Sequence, residues 1–201
     1  MLKIGITGGI GSGKSIVSRI FKSLNIPVYD SDSSAKLLME CDPVIRHQLT
    51  GLFGEDLYRD FDLDRVKLAA IIFSDPEKLK QVNQIVHPHV KDNFQDWCDR
   101  QKGVPYILQE AAIIFESGAY KYLDKIISVS APLELRIKRV MERNRTGKEE
   151  IMKIINRQMD EEERIERSDY VIVNDESTLI IPQVLAIHNE LINTKLKSEH
   201  E

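Results

Sequence analysis

Gly8-Gly9-Ile10-Gly11-Ser12-Gly13-Lys14-Ser15 is the stretch of this sequence that determines its fold class. It fits the pattern GxxxxGK followed by Ser or Thr, in which glycines let backbone N–H groups turn towards phosphate oxygens. A short apolar run from Leu2 to Thr7 precedes it, and helix-like apolar spacing from Lys14 to Leu24 follows it. This order of strand, loop and helix is the context in which the pattern indicates a nucleoside triphosphate site.

The residues of this loop are suited to separate tasks. Its backbone N–H groups and the positive end of the following helix should hold a polyphosphate. Lys14 should reach the β and γ phosphates, and the Ser15 hydroxyl should help to hold Mg²⁺. The residues expected to bind the nucleotide are Gly11, Ser12, Gly13, Lys14, Ser15 and Ile16.

The loop motif does not by itself identify the activity, because kinases, GTPases and motor ATPases all contain it. GTPases usually carry an NKxD motif that recognises guanine, and this sequence contains none. A GTP-dependent switch is therefore disfavoured, while phosphoryl transfer to an acceptor stays open.

Short apolar runs alternate with helical patterns along much of the chain, which predicts an α/β fold. Strands alternating with helices imply a doubly wound parallel sheet covered on both faces. Between the second and third predicted strands, up to about residue 100, the pattern is helical with no clear strand, which predicts a helical insertion. After the first strand, we predict strands at 27–29, 106–108, 125–129 and 171–173, and later helices at 133–143, 151–159 and 179–196.

These patterns predict three parts within one fold. A nucleotide-binding core should comprise residues 1–32, 104–139 and 168–201, and a helical acceptor lobe residues 33–103. Residues 140–167 carry many charges and few aromatics. Such a run is typical of a solvated helical face, and it also fits a lid that covers phosphates.

Two carboxylates follow the second predicted strand, which we place beside the first. Asp30 and Asp32 are then at the carboxyl edge of the sheet, where ligands of such sheets bind. A substrate hydroxyl that attacks phosphorus must lose its proton, and an aspartate can accept it. We assign that task to Asp32, whereas Asp30 fits a helix cap as well as a magnesium role.

The amino-acid composition further limits the classes of function and the cellular compartment that fit this chain. The 201 residues carry 28 Lys and Arg against 32 Asp and Glu, a net charge of −4, which argues against a nucleic-acid partner. Cys41 and Cys98 lack metal-ligand spacing and predict reduced thiols rather than disulfides or zinc. No apolar run approaches about 18 residues, so we expect no membrane span and a cytoplasmic protein. The oligomeric state is not indicated.

At this point the chain closely resembles the dephospho-CoA kinase family, nearly from end to end. The resemblance begins with IGITGGIGSGKS at 4–15 and a DxD segment followed by Ala and a basic residue at 30–36. The more discriminating matches lie further along the chain. They are Gly54-Glu55, the pattern Asp64-Arg65-x-x-Leu68-x-x-x-x-Phe73, Ile85-Val86-His87-Pro88, Ile113-Ile114-Phe115-Glu116, the pair Arg139 and Arg143, Gln158, and 169–174 ending in Asn174.

The resemblance implies a P-loop kinase that uses ATP and Mg²⁺. It implies phosphorylation of the 3′-hydroxyl of the dephospho-CoA ribose, which gives coenzyme A and ADP. Asp32, Lys14 and Arg139 would then be catalytic, and Arg143 and Asn174 would join the nucleotide site. The acceptor-binding residues implied by the resemblance are Asp30, Arg65, His87, Glu116 and Gln158.

Several alternatives stay open. The family commonly has Pro where this chain has Ala112. Gln109 and Glu110 stand where the family more usually has apolar residues or an Asp, so the backbone there should differ. Glu110 fits either ordering of magnesium-bound water or a plain strand-end acid. His87 before a proline also fits packing, and Arg65 also fits a surface ion pair. A nucleoside or nucleotide kinase with another acceptor lobe is the rival within the same fold.

Overall fold

Residues 1–59 and 62–198 are described here by a computed structural model. The strands are β1 (Leu2–Thr7), β2 (Val28–Asp30), β3 (Tyr58–Arg59), β4 (Asp62–Leu63), β5 (Tyr106–Glu110), β6 (Lys125–Ser130) and β7 (Tyr170–Val173). The helices are α1 (Lys14–Ser23), α2 (Ser31–Cys41), α3 (Pro43–Phe53), α4 (Arg65–Ser74), α5 (Pro76–Asp99), α6 (Leu133–Asn144), α7 (Lys148–Ile155), α8 (Glu161–Glu166) and α9 (Ile180–Ser198).

The chain divides into two compact units. The first comprises Met1–Asp30 and the described residues from Gln101 onward, and the second comprises Ser31–Arg100. Across the described residues, no helix is both long and apolar enough to cross a lipid bilayer.

The first unit contains a parallel sheet with the strand order β2-β5-β1-β6-β7, which confirms the predicted α/β class. The placement of β2 beside β1 was wrong, because β5 lies between them. Asp30 is therefore the register partner of Glu110 on β5, and Glu110 is the partner of Ile6 on β1. A half-exposed strand of three residues suits the edge of a sheet, whereas the fully buried β5 suits its interior.

One face of this sheet packs against α1 and α9. Ile4 and Ile6 of β1 are fully buried, as are Val17 and Phe21, which are one helical turn apart on α1. Val184 and Leu191 of α9 belong to the same cluster. Each such side chain contributes about 1.5–3 kcal/mol by leaving water, which holds α1 and therefore the preceding loop against the sheet.

The opposite face is covered by the segment after β5. Gly5 points there, and a Cβ at Gly5 would come within 2.9 Å of Ile114 Cδ1 and 2.8 Å of Leu123 Cδ1. Ile114 and Phe115 form a buried cluster with Ile126 of β6. Both faces of the parallel sheet are therefore covered, as the alternation of strands and helices predicted.

The second unit is mainly helical. Ile45, Leu49, Val86 and Phe94 are buried, and α5 continues through Pro88. The expectation of no strand was wrong, since β3 and β4 form a short antiparallel hairpin in which Tyr58 pairs with Leu63. Strands of two residues are too short to produce a recognisable alternation, which explains the error.

The helices expected in the predicted lid are present with shifted ends. The helix predicted at 151–159 ends at Ile155, and α8 follows as a separate short helix. Ile151 of α7 packs against Ile137 and Val140 of α6. Because α6 continues to Asn144, the predicted boundary between residues 139 and 140 falls inside a helix.

Candidate active site

The phosphate loop lies between β1 and α1, as predicted. Gly11 and Gly13 have φ angles of 80° and 95°, a left-handed conformation that side-chain-bearing residues rarely adopt. A Cβ at Gly11 would overlap the backbone of Arg136, and one at Gly13 would overlap the side chain of Asn174. No side chain caps the start of α1, and its positive end directly follows the loop. The loop therefore has the local geometry of an anion site.

Lys14, the predicted phosphate ligand, folds back over this loop. Its Nζ donates a hydrogen bond of 2.8 Å to the carbonyl of Gly8. The contact keeps a positive charge beside the N-terminal turn of α1. A fixed charge at that place stabilises negative charge that develops on a transferred phosphoryl group.

Ser15 is linked to the carboxyl end of the sheet. Its hydroxyl donates a hydrogen bond of 2.7 Å to Glu110 Oε1 at the end of β5. Asp30, at the end of β2, is the register partner of Glu110. A serine hydroxyl and two acidic residues at adjoining strand ends are the oxygen donors that a hard divalent cation prefers.

A fully protein-bound metal centre is not formed here. Among residues 1–59 and 62–198, no group of three or more His, Cys, Asp and Glu side chains is placed to hold a metal ion. Mg²⁺ in phosphoryl-transfer sites is bound by one or two protein groups, phosphates and water. The donor set around Ser15 fits that kind of site.

Asn174, directly after β7, contacts the loop, and Arg139, in the middle of α6, contacts Asn174. Asn174 is 5% exposed, and its Nδ2 donates a hydrogen bond of 2.7 Å to the carbonyl of Ser12. Its backbone carbonyl and Oδ1 accept from Arg139 Nη1 and Nη2 at 3.2 and 3.3 Å. The structure thus brings these two predicted residues together beside the phosphate loop.

Arg136 also contacts the loop, and sequence reasoning missed it. Its Nε donates to the Ile10 carbonyl at 3.1 Å, its Nη1 donates to Glu161, and it is only 3% exposed. Charged residues are rarely buried, so a run of Arg and Lys gave no reason to single it out. The available signal was its position on the inward side of α6, one turn before Val140.

Gln158 and Glu116 are bound to backbone groups. Gln158 Oε1 accepts a hydrogen bond of 2.9 Å from the Ile10 N–H, which joins the predicted lid to the phosphate loop. Glu116 Oε1 accepts one of 2.8 Å from the Met159 N–H. By contrast, Arg143 is exposed, and its Nε donates to the adjacent Asn144 rather than to the loop.

Three of the predicted site residues belong to the helical unit. Asp32 is exposed in the first turn of α2. Arg65 forms an ion pair with Glu40, with Nη2 and Nε at 2.6 and 2.9 Å from the same carboxylate oxygen. His87 lies half-buried in α5, where burial lowers its pKa and favours the neutral imidazole.

Comparison with known proteins gives one family along most of the chain. A family model described as Dephospho-CoA kinase matches residues 2–179. The Dephospho-CoA kinase of Bacteroides fragilis (strain YCH46) is 43% identical over 186 residues, which cover 92% of this chain and 91% of the relative.

Two solved structures are similar over nearly the whole length. A crystal structure from Thermus thermophilus has a TM-score of 0.84 at 37% identity and covers 94% of this chain and 97% of its own. The Dephospho-CoA kinase from Campylobacter jejuni has a TM-score of 0.69 at 25% identity and covers 96% of this chain and 98% of its own. With its phosphate loop, its parallel sheet and the extent of these matches, the chain belongs to the dephospho-CoA kinase family.

Proposed function

We propose that this protein transfers the γ-phosphate of ATP to the 3′-hydroxyl of the dephospho-CoA ribose and releases coenzyme A and ADP. The observation that carries the proposal is the family match over residues 2–179, within which the phosphate loop keeps its glycines, Lys14 and Ser15. This reaction is the last step of coenzyme A synthesis.

The nucleotide would bind at the loop between β1 and α1. Backbone N–H groups from Gly11 to Ile16 would surround the phosphates, and Lys14 would exchange its Gly8 contact for the β and γ phosphates. Arg139 would stabilise charge on the transferred group, with Asn174 holding both the loop and the guanidinium. Arg143 would join the nucleotide from the far end of α6.

Mg²⁺ fits the oxygen groups at the end of β5. Ser15 would hold it, and Glu110 would orient water bound to it, since the two side chains are hydrogen-bonded to each other. Mg²⁺ neutralises phosphate charge in this class of reaction. We assign Glu110 this task because its contact with Ser15 goes beyond what a plain strand-end acid requires.

Asp32 would accept the proton of the attacking ribose hydroxyl. It is exposed, as a base that meets a substrate must be, and it follows Asp30 by two residues at the start of α2. Asp30 would help to orient the acceptor beside Glu110.

The remaining predicted residues would bind and enclose the acceptor. Arg65 would exchange its ion pair with Glu40 for a substrate phosphate, and a neutral His87 would hydrogen-bond to the acceptor. Glu116 and Gln158 would contact the acceptor when residues 140–167 close as a lid. Closure would exclude water and so limit unproductive ATP hydrolysis.

We further place this reaction in the cytoplasm, with no nucleic-acid partner. Cys41 and Cys98 are thiols in the structure, which suits a reducing compartment. The net charge of −4 does not favour binding to a polyanion.

The test is a coupled assay with purified protein, ATP and Mg²⁺, in which ADP and coenzyme A are both measured. We expect ADP formation to depend on dephospho-CoA and coenzyme A to form in equal amount. Nucleosides and nucleoside monophosphates serve as competing acceptors. Phosphorylation of those acceptors with dephospho-CoA left unchanged would contradict the proposal, as would hydrolysis that dephospho-CoA does not affect.

A further inference from the structure

We propose that Arg136 is a positioning residue that sets the shape of the phosphate loop and links it to the segment 158–161. The link joins Ile10 of the loop to Glu161 of α8 through one buried guanidinium. This inference rests on the proposed function, because its consequence is measured as the use of ATP.

The packing around Arg136 shows that the loop is shaped against it. A Cβ at Gly9 would overlap the Arg136 guanidinium, and one at Gly11 would overlap its backbone. The arginine therefore occupies the space beside two loop glycines. An uncharged or shorter side chain would leave that space and the Ile10 carbonyl without support.

Ile10 is held from both sides. Its carbonyl accepts from Arg136 Nε, and its N–H donates to Gln158 Oε1 at 2.9 Å. Arg136 comes from α6, before the predicted lid helix α7, and Gln158 comes from the segment after it. One residue from before the predicted lid and one from within it thus both form hydrogen bonds to Ile10 of the phosphate loop.

Glu161 fixes the far end of the link. Its Oε2 accepts from Arg136, and its Oε1 accepts from Ser130 Oγ at 2.6 Å and the Ala131 N–H at 3.3 Å. These partners lie at the carboxyl end of β6, so the carboxylate ties the guanidinium to the sheet. A buried arginine with its carboxylate partner in place costs far less than one left unpaired.

The segment between these residues is also held. Met159 donates its N–H to Glu116 Oε1 and accepts a hydrogen bond from the buried Arg164 at its carbonyl. A cavity of about 440 Å³ borders the same segment and is lined in part by Arg136, Gln158 and Glu161. If the link to Arg136 were lost, the segment would have room to shift and would release Ile10.

A shifted loop should weaken ATP binding in particular. Loop N–H groups stabilise phosphate only when their positions are correct, and misplacement of about 1 Å can cost about 10²-fold in rate. The acceptor does not bind through this loop. Loss of Arg136 should therefore raise the KM for ATP more than the KM for dephospho-CoA, which depends on Gln158 and Glu116 at the segment that shifts.

The experiment compares Arg136→Gln, Arg136→Lys, Glu161→Gln and the double variant Arg136→Gln/Glu161→Gln with wild type. We expect Arg136→Gln to raise the KM for ATP about tenfold or more and the KM for dephospho-CoA by a smaller factor. Lysine keeps the charge but lacks the planar fork that bridges Ile10 and Glu161, so Arg136→Lys should be intermediate. The double variant should be no worse than the more impaired single variant, because both changes remove one link.

Lys138→Gln is the matched control, since it removes an exposed positive charge from the same helix and should leave both KM values unchanged. A wild-type KM for ATP in folded Arg136→Gln would overturn the inference. So would a lower kcat with both KM values unchanged, which reports only a smaller folded fraction. If Arg136→Gln does not fold, Glu161→Gln decides by the same criterion.

Failure of the proposed function gives a different result. A wild-type protein that binds ATP but does not phosphorylate dephospho-CoA would overturn the proposed reaction alone. ATP affinity measured by calorimetry would then still test Arg136, with weaker binding expected in Arg136→Gln and unchanged binding contradicting the inference.

Discussion

At the scale of single residues, the contacts at the phosphate loop separate chemistry from support. Lys14 Nζ contacts the Gly8 carbonyl, a partner that the phosphates of a bound nucleotide would replace. The Ser15 hydroxyl contacts Glu110, with which it would share a bound cation. Asn174 instead holds the loop backbone at Ser12. Substitution of Lys14 or Ser15 should therefore alter turnover, and substitution of Asn174 should alter nucleotide binding.

Replacing Lys14 by Ala should reduce turnover by a factor of about 10² or more, because a fixed charge beside the developing anionic centre is lost. The measurement is steady-state coenzyme A formation at saturating ATP. Lys22→Ala, an exposed lysine at the other end of α1, is the control and should retain wild-type turnover. Turnover near wild type in Lys14→Ala would contradict the assignment.

Changing Asp32→Asn should lower kcat while the KM for ATP stays within about twofold, because the residue acts on the acceptor proton. An expected loss in kcat is about 10² to 10⁴. Asp92→Asn on the exposed side of α5 removes a carboxylate from the same unit and serves as control. An unchanged kcat would exclude Asp32 as the base and leave Asp30 or water for that task.

At the scale of elements, the phosphate loop is shaped by tertiary packing as well as by its own glycines. Gly13 has a φ of 95° and lies against the Asn174 side chain at the end of β7. The motif predicts a glycine there, but it does not reveal which neighbour requires one. The order of the strands, which brings β7 into the sheet beside β6, supplies that neighbour.

Gly13→Ala should lower the free energy of unfolding by about 1 to 2 kcal/mol, because a Cβ in left-handed backbone is strained. It should also weaken ATP binding at least about tenfold, since the overlap with Asn174 displaces the loop. Denaturant unfolding and nucleotide titration measure the two effects. Gly51→Ala is the control, because nothing lies within 4 Å of a Cβ there and alanine suits α3 better by up to about 1 kcal/mol.

Equal effects of Gly13→Ala and Gly51→Ala on stability would contradict the strain argument. Unchanged nucleotide binding in Gly13→Ala would show that the loop tolerates the displacement. The two outcomes are independent, so each part of the prediction can fail alone.

At the scale of the whole molecule, partly buried histidines couple the free energy of unfolding to pH. His188 Nδ1 and Tyr106 Oη are 2.6 Å apart between α9 and β5, and burial lowers the pKa of His188 and raises that of Tyr106. The imidazole of the unfolded chain therefore binds a proton near pH 6.5, whereas that of the folded protein binds it only at lower pH. Burial lowers the pKa of His87 in the helical unit as well, with the same sign.

The free energy of unfolding should accordingly be fully retained above about pH 6.5 and should fall as the pH decreases through that value. His188→Gln should show a smaller fall between about pH 7.5 and 5, although the lost Tyr106 contact lowers its stability at every pH. Urea unfolding at several pH values gives the curves. A His188→Gln curve parallel to wild type would contradict the coupling, and exposed His47→Gln controls for loss of a histidine.

Structural features that depend only on residues close together in the chain could be predicted from the sequence. The glycines, Lys14 and Ser15 of the loop, the apolar runs of the strands and the turn-by-turn spacing of α1 all reflect local backbone geometry, which short windows of sequence encode. The α/β class, the phosphate loop and the family followed from those windows. The strand order did not, because alternation predicts parallel strands without saying which ones pair.

Tertiary structure alone decided the partners of these residues. Ser15 meets Glu110 and Ile10 meets Arg136 across separations of 95 and 126 residues. Such pairs depend on how helices and strands pack, and no periodicity records whether an arginine is buried or exposed. The phosphate loop could therefore be predicted from one short stretch of sequence. The side chains that hold it in shape come from distant segments, so only the folded structure identifies them.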